Sequence, residues 1–238
     1  MNNRVGAMHL QDLANRFVEY KRRHGMRSAL RRAFLSVRRI LAGNRMVLFY
    51  CDLNSWKSSA PDAGNPLTVE RITGKQTVAA RDLMQIVNFW NPQIMQRLIT
   101  ERFARGAALW LAKSGSELAG YGWTLNGSTI EPNFFPLEPE DVHLFDFFVF
   151  PEYRGQRVNR SLVLKILEML AAERKGHAYI EVAEWNTSQL KSLSRMPFQK
   201  LGCARKFRVF GRTLTMWSEG RPPGQHSFSK ATVSNASA

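Results

Sequence analysis

The segment 142–150 places a carboxylate among apolar side chains, an arrangement suited to proton transfer. Asp146 stands between Phe145 and Phe147, and burying a carboxylate costs free energy unless a partner or a function compensates for it. Apolar surroundings raise the pKa of a carboxyl group in general toward values suited to a general base. Asp146 is therefore the first candidate for a base or an amine anchor. The alternative is a structural carboxylate that pairs with an arginine or caps a turn.

Two further side chains are candidates for the same role. His143 lies in the same segment, and histidines in general titrate close to neutral pH; a hydrogen-bonded, partly buried histidine is the alternative. Glu131 lies upstream of the segment, and a surface carboxylate is its alternative. Farther along, Glu181 and Glu184 are expected to line an acceptor pocket, whereas Trp185 is expected in the core.

Three arginines follow the segment, at a turn that leads into a helix. Arg154, Arg157 and Arg160 are spaced by three residues, and Pro151 ends the preceding strand. A helix N-terminus presents unpaired backbone N–H groups and the positive end of the helix dipole, and both favour phosphate. The turn therefore predicts a phosphate-binding site, with an ordinary basic strand–helix corner as the alternative.

The elements that position these residues alternate between strands and helices. Short apolar runs bounded by turn residues indicate strands, and apolar residues at three- and four-residue intervals indicate helices. The predicted strands are 46–51, 108–113, 117–125, 142–150, 179–183, 206–210 and 213–217, and the predicted helices are 79–89, 91–105, 158–173 and 189–194. Because two central strands form a hairpin across residues 114–116, the pattern favours an α/β (α+β) fold with a mixed, mostly antiparallel sheet flanked by helices.

The turn and its neighbours resemble the signature of the GNAT N-acetyltransferase superfamily. The best match is Val149-Phe150-Pro151-Glu152-Tyr153-Arg154-Gly155. Three more pieces follow the family's order: a hairpin over 109–123, Ile180-Glu181-Val182 with Asn186, and Phe198-Gln199-Lys200-Leu201-Gly202-Cys203. The resemblance covers residues 80–217. It implies a site for the CoA of acetyl-CoA made of Phe148, Val149, Phe150, Arg154, Gly155, Gln156, Arg157, Val158, Asn159, Arg160 and Asn186.

The sequence departs from the family pattern at three positions. Arg157 and Asn159 stand where the family has its two later glycines, so either the turn is wider or arginine side chains replace amide contacts. Phe198 stands at the usual tyrosine, a frequent general acid for the departing thiolate, and it has no proton to donate. The spacing from Asn186 to Phe198 is also longer than is typical of the family.

The positive charge of the chain is concentrated near its N-terminus. The 238 residues carry a net charge of +15, and residues 1–45 contribute +9 from eleven Lys/Arg against two Asp/Glu. The apolar stripe Leu30, Phe34, Val37 and Leu41 predicts a basic amphipathic helical arm over 1–45. The resemblance implies a GNAT-like domain over 46–218, and the lack of an apolar period predicts a disordered tail over 219–238. The arm is expected either to pack on the domain or to attract an acidic partner or an anionic membrane.

Composition excludes several other classes of protein. Two cysteines cannot build a disulfide framework or a four-cysteine zinc site, and no metal is expected. The apolar runs fall short of the ~18 residues of a membrane span, and no secretory signal follows Met1. We therefore expect a cytoplasmic protein, with peripheral contact at the inner membrane face if the arm binds lipid.

The resemblance implies an N-acyltransferase that moves an acetyl or other acyl group from acetyl-CoA to an amine. We expect the acceptor to be an amino sugar or another small amine. One alternative is a donor carried on an acidic acyl carrier protein, which the positive charge would attract. The other is a non-catalytic GNAT-like module that binds nucleic acid or a membrane surface, although the sequence carries no recognised nucleic-acid motif.

Overall fold

The computed structural model of the protein describes residues 45–56, 67–129, 134–209, 212–220 and 232–234. The expected N-terminal arm lies outside these residues except for Arg45. Glu131 and most of the expected tail also lie outside them. Of the tail, the structure describes two pieces, and both belong to strands.

The described residues form one sheet of nine strands. They are β1 (Arg45–Asp52), β2 (Leu67–Ile72), β3 (Ala108–Ser114), β4 (Glu117–Asn126), β5 (Val142–Val149), β6 (His177–Ala183), β7 (Gln199–Val209), β8 (Arg212–Gly220) and β9 (Thr232–Ser234). Their order across the sheet is β2-β3-β4-β5-β6-β1-β7-β8-β9. β5 and β6 are parallel and the other neighbouring pairs are antiparallel, so the predicted mixed, mostly antiparallel sheet is confirmed.

In the part of the chain that the structure describes, four α-helices cover the two faces of this sheet. They are α1 (Ala80–Phe89), α2 (Pro92–Ala104), α3 (Val158–Ala172) and α4 (Thr187–Leu193). Leu162 and Ile166 of α3 join a core with Val142 and Leu144 of β5 on one face. On the other face, Ile86 of α1 and Ile99 of α2 join a second core, together with Leu109, Tyr121, Trp123 and Phe150 of the sheet and its edges. Phe145 and Phe148 of β5 also pack against this second core, so β5 contributes to both cores.

Local sequence signals account for the helix boundaries. The side chain of Asn91 accepts a hydrogen bond from the backbone N–H of Ile94 at 3.2 Å, and Pro92 occupies the first turn of α2, where its missing N–H is harmless. Asn186 caps α4 in the same way through the N–H of Gln189. The predicted starts of these helices agree with the structure to within two residues.

β1 lies in the middle of the sheet although it precedes every other described element in the chain. It pairs antiparallel with β6 on one side and with β7 on the other. Val47 and Phe49 turn toward the α3 side, and Leu48 turns toward the opposite face. Both faces of β1 are therefore covered, which explains its nearly continuous apolar sequence.

Some strands differ from the prediction in length or were not predicted. β2 was not predicted, and it pairs with β3 at the edge of the sheet. β7 begins at Gln199, and β8 continues to Gly220 because these two strands pair along a long hairpin. In the expected disordered tail, Thr232–Ser234 pairs with β8, which suits its β-branched residues. None of the helices in the described ranges is long and apolar enough to cross a membrane.

Candidate active site

The two central parallel strands separate a short way along their length. β5 and β6 pair only at Val142 with Ala178 and at His143 with Tyr179. Beyond these pairs, side chains 145–149 are half-buried or exposed even though β5 lies inside the sheet. We call this opening, between residues 144–149 of β5 and 180–183 of β6, the cleft.

A bulge in β5 lies beside the cleft. Asp146 has a φ of 50°, a left-handed conformation that is uncommon for residues other than glycine. On β4, Tyr121 pairs with Phe148 and Trp123 pairs with Phe145. Asp146 and Phe147 thus lie together opposite the single residue between Tyr121 and Trp123, which defines a β-bulge.

The bulge changes which side chains share a face of β5. In a regular strand, side chains alternate between the two faces, so Phe147 would follow Phe145 on the same face. Instead, Phe145, Phe148 and Phe150 pack in the core under α1 and α2, whereas Phe147 and Val149 pack in the core under α3. The bulge therefore turns a row of aromatic rings toward α1 and α2.

The carboxylate of Asp146 is held by an arginine of α2. Arg102 Nη1 donates to Asp146 Oδ2 at 2.6 Å. The guanidinium of Arg102 also lies over the rings of Trp123, at 5.1 Å, and Phe145, at 5.4 Å. Arg102 is 9% exposed, whereas the side chain of Asp146 is 42% exposed. Of the two interpretations of Asp146, the pairing with an arginine is present in the structure.

His143 and Glu181 bridge β5 and β6 where the cleft begins. His143 Nε2 lies 2.7 Å from Glu181 Oε2, and the imidazole stacks on the ring of Phe145 with an interplanar angle of 14°. His143 is 4% exposed, and no described residue forms a hydrogen bond with its Nδ1 atom. Burial alone would raise the pKa of Glu181, but its hydrogen bond with His143 lowers it below the ordinary value. Glu181 is therefore an ionised partner for the imidazole.

The turn after β5 contains two residues with a positive φ. Gly155 has a φ of 79°, and a Cβ atom at this position would meet nothing within 4 Å. Arg157 is the N-cap of α3 and has a φ of 60°, without a side-chain cap on the helix. The first turn of α3 therefore presents its backbone N–H groups without a capping side chain. Arg157 stands where the family pattern has the first of its two later glycines. It adopts the left-handed conformation that glycine favours.

Arg154 lies against the end of β5. Its Nε atom donates to the carbonyl oxygen of Val149 at 3.3 Å, and its guanidinium lies 5.8 Å from the ring centre of Phe148. Gln156 donates to the carbonyl oxygen of Glu152 at 3.0 Å and so braces the turn. The contacts of Arg154 hold its guanidinium at the end of β5, in the turn that precedes the uncapped end of α3.

The residues predicted from the resemblance fall into three groups. Those exposed at the turn are Arg154, Gly155, Gln156 and Arg157; those half-buried are Phe148, Val149, Asn159, Arg160 and Asn186; those buried are Phe150 and Val158. The amide of Asn186 is used to cap α4, where it contacts Gln189. The assignment of these residues to CoA stays a prediction.

Sequence reasoning missed Arg102 and the partnership of His143 with Glu181. A signal for Arg102 exists, because it follows Met95 and Ile99 at intervals of four and three and so lies on the buried stripe of α2.

Trp185, expected in the core, is 57% exposed, since it follows the end of β6 where the sheet no longer covers it. The described residues contain no cluster of groups that would hold a metal ion.

Comparison with known proteins yields one family match. The model of the family described as acetyltransferase (GNAT) family matches residues 78–196, which are 119 of the 238 residues. The match spans the described elements from α1 to the end of α4. No curated protein matches the chain.

Several solved structures are similar to this chain at low identity. A GCN5-related glucosamine N-acetyltransferase region of a fungal multi-domain β-N-acetylglucosaminidase has 14% identity and a TM-score of 0.49, over 74% of this chain and 22% of that one. A GNAT acetyltransferase from Colwellia psychrerythraea has 12% identity and a TM-score of 0.47, over 66% and 53%. A Bacillus subtilis acetyltransferase in complex with CoA has 19% identity and a TM-score of 0.42, over 55% and 74%. The chain thus spans less than two thirds of the length of the first two.

Proposed function

The chain belongs to the acetyltransferase (GNAT) family, and we propose that it moves an acetyl group from acetyl-CoA to the nitrogen of an amine. The observation that carries the proposal is the cleft between β5 and β6. The imidazole–carboxylate pair and the bulge lie along β5, which borders the cleft, and an uncapped helix end follows this strand in the chain. These are the three parts that acyl transfer requires: a donor site, a site for the oxyanion and a base.

The turn after β5 suits the phosphates of the donor. Backbone N–H groups at the start of α3 and the positive end of its dipole attract an anion, and Arg154 adds a charged donor beside them. The open space at Gly155 lets a phosphate approach the backbone closely. Acetyl-CoA bound here would supply the thioester carbonyl and a thiolate leaving group.

The bulge suits the negative charge that develops on the carbonyl oxygen. Asp146 and Phe147 face a single residue of β4, so their backbone N–H groups do not both belong to the regular ladder. Fixed N–H donors of this kind stabilise an oxyanion without reorganisation at the moment of reaction. In this proposal Asp146 and Arg102 hold the bulge in shape.

We assign the role of base to His143. With the Nε2 proton directed to Glu181, Nδ1 keeps its lone pair, and an amine that enters the cleft and reaches this buried atom can give it a proton. The nearby carboxylate stabilises the imidazolium that forms. Asp146 is less suited to this step, because accepting a proton would cancel its ion pair with Arg102. The base assignment of Asp146 made from the sequence stays a prediction that the experiment below tests.

The reaction then needs no tyrosine at position 198. The new C–N bond forms as the C–S bond breaks, the amine proton passes to His143, and the sulfur leaves as a thiolate. Phe198 is buried in the core with Met196 and Leu193 and offers no proton. Thiols have pKa values near 8.5, so a thiolate is a tolerable leaving group close to neutral pH.

The test combines acetyl-CoA binding with turnover of the full chain. Isothermal titration measures acetyl-CoA binding, and release of free thiol in the presence of an amine panel measures transfer. His143→Gln is expected to lower kcat by about 10²- to 10⁴-fold, the usual contribution of a general base, with little change in acetyl-CoA affinity. The matched control is His177→Gln, because His177 lies on β6 and contacts a different carboxylate, Asp141.

The outcomes separate the parts of the proposal. Absence of both binding and thiol release would refute acetyl transfer. Loss of turnover in Asp146→Asn with normal turnover in His143→Gln would move the base to Asp146. A strong loss in His177→Gln equal to that in His143→Gln would show that neither effect reports a base.

The remaining sequence-based expectations stay proposals. A donor on an acidic carrier protein, a cytoplasmic location and contact of residues 1–45 with an anionic membrane rest on the charge of that segment. Mass analysis of a co-purifying ligand distinguishes acetyl-CoA from a carrier-bound acyl chain. Turnover of acetyl-CoA would exclude the non-catalytic module.

A further inference from the structure

Several large apolar side chains are exposed around the junction of α1 and α2. Phe89 is 42% exposed, Trp90 is 44% exposed and Ile94 is 45% exposed. Soluble proteins expose such side chains singly, and a contiguous group of them indicates a binding surface. We use the name aromatic patch for Phe89, Trp90 and the half-buried Phe148, whose rings contact one another, together with the exposed Ile94 in the first turn of α2.

The rings of the aromatic patch are fixed in place by their neighbours. The ring centre of Phe89 lies 4.7 Å from that of Phe148 and 5.6 Å from that of Phe150. Trp90 lies 5.1 Å from Phe148, and its Nε1 donates to the hydroxyl of Tyr121 at 2.9 Å. Burial raises the pKa of Tyr121 to about 12, so this hydroxyl stays neutral. A rigid aromatic surface loses little conformational entropy when a ligand binds.

The aromatic patch continues from the face of β5 that carries His143. His143 stacks on Phe145, and the bulge brings Phe148 onto the same side of the strand as Phe145. Phe148 follows His143 by five residues. Because the bulge adds one residue without extending the strand, four residues count toward the distance between them. At a rise of ~3.3 Å per residue, the strand carries them roughly 13 Å apart. An amine at His143 would therefore direct a body of roughly 6 Å toward the patch, once about 3 Å is taken by a hydrogen bond and about 4 Å by ring contact.

The surface chemistry of the aromatic patch narrows the class of acceptor. The guanidinium of Arg154 contacts Phe148, but it is assigned above to the phosphates of the donor and is not counted as an acceptor contact. Aromatic faces bury apolar carbon well, whereas the hydroxyl groups of a sugar would lose hydrogen bonds to water against them.

We propose that the acceptor is a primary amine with an aromatic or aliphatic body that packs on Phe89, Trp90, Ile94 and Phe148. This inference rests on the proposed function, since it names the acceptor of the same site. It selects, among the small amines expected from the sequence, those with an apolar body over amino sugars.

The experiment compares two acceptors with three forms of the full chain. The acceptors are a phenylalkylamine with two to four methylene groups and glucosamine, both with acetyl-CoA as donor. The forms are the wild type, Trp90→Ala and Trp185→Ala; Trp185 is a matched control because it is exposed but outside the aromatic patch. Trp90→Phe retains a ring without the contact to Tyr121, and it serves if the alanine variant fails to fold.

The wild type is expected to favour the phenylalkylamine in kcat/KM by about tenfold or more, as for a well-packed aromatic contact. Trp90→Ala should remove most of this preference through KM, with the acetyl-CoA affinity unchanged, and Trp185→Ala should leave the preference intact. Equal rates with both acceptors, or equal effects of the two tryptophan variants, would overturn the inference.

Two further outcomes also overturn it and have different meanings. The wild type and Trp90→Ala are also assayed with octanoyl-CoA as a second donor. If Trp90→Ala changes discrimination between acetyl-CoA and octanoyl-CoA but not between acceptors, the aromatic patch contacts the acyl chain. If acetyl-CoA is not bound or no amine is acetylated, the proposed function itself fails. Transfer without preference for the apolar amine leaves the proposed function standing and rejects only the acceptor class.

Discussion

Replacing Arg102 with methionine tests how the bulge beside the cleft is held. The hydrogen-bonded pair with Asp146 is worth ~1 kcal/mol, because the exposure of Asp146 reduces the 1.5–3 kcal/mol of a charged hydrogen bond. Each of the two ring contacts adds ~0.5–1 kcal/mol. Methionine keeps the packing of the aliphatic stem, so the expected loss in the free energy of unfolding is about 2–3 kcal/mol.

The measurement is urea unfolding at neutral pH, followed by far-ultraviolet circular dichroism. In a thermal scan, the same loss corresponds to a fall in Tm of about 4–12 °C for a chain of this size. Arg97→Met is the matched control, because Arg97 lies on the same helix with a side chain that is 71% exposed and an ion pair at 3.6 Å. A difference below about 0.5 kcal/mol between the two variants, the usual range of surface changes, would refute the reasoning.

Three other predictions concern the turn and the far half of the sheet. Arg154→Ala should weaken acetyl-CoA binding by about 1–3 kcal/mol in isothermal titration, and unchanged affinity would remove Arg154 from the donor site. Arg157→Gly should leave the free energy of unfolding unchanged or raise it by up to ~1 kcal/mol, because glycine relieves the positive φ; urea unfolding that shows a larger loss would contradict this. Hydrogen bonds from Lys200 and Arg45 lower the pKa of Glu219 to about 2 from its ordinary 4.5, so its stabilising contribution is present above pH 4.5 and is lost as the pH falls toward 2. Glu219→Gln should therefore destabilise the protein more at pH 7 than at pH 3 in urea unfolding, and an equal effect at both would count against the shift.

Much of the local structure follows from short-range sequence signals. Asn91 and Pro92 mark the start of α2, and residues 114–116 mark the turn between β3 and β4, where Gly115 has a φ of 61°. These signals act within a few residues of each other, so they can be identified in a single sequence. The family signature around Arg154 likewise depends on neighbouring residues.

The pairing of distant segments could not be predicted in the same way. The alternation in Leu67–Ile72 is a usable strand signal, but it spans only six residues. Nothing local indicates that β1 enters between β6 and β7, because its neighbours are set by competition among all strands for partners. The same applies to the site, where His143 meets Glu181 and Asp146 meets Arg102 only through the sheet topology.

The bulge at Asp146 is the feature that sequence periodicity hides most completely. A strict period of two assigns Phe145 and Phe147 to one face, and the structure assigns them to opposite faces. One inserted residue thus determines which aromatic rings of β5 lie on the face under α1 and α2. Recognising it from the sequence would require knowing that Asp146 adopts a positive φ, which the residue type alone does not reveal.

The central position of β1 has a consequence for synthesis on the ribosome. Its first residue, Arg45, bonds to Glu184, which lies 139 residues later in the chain. At ~5–20 residues per second, roughly 7–28 seconds separate the emergence of these two residues. During that interval both hydrogen-bonding edges of an apolar strand lack their final partners, which is a hazard for aggregation. Translation speed and chaperone supply should therefore affect the yield of this protein more than that of a fold whose early strands pair with one another.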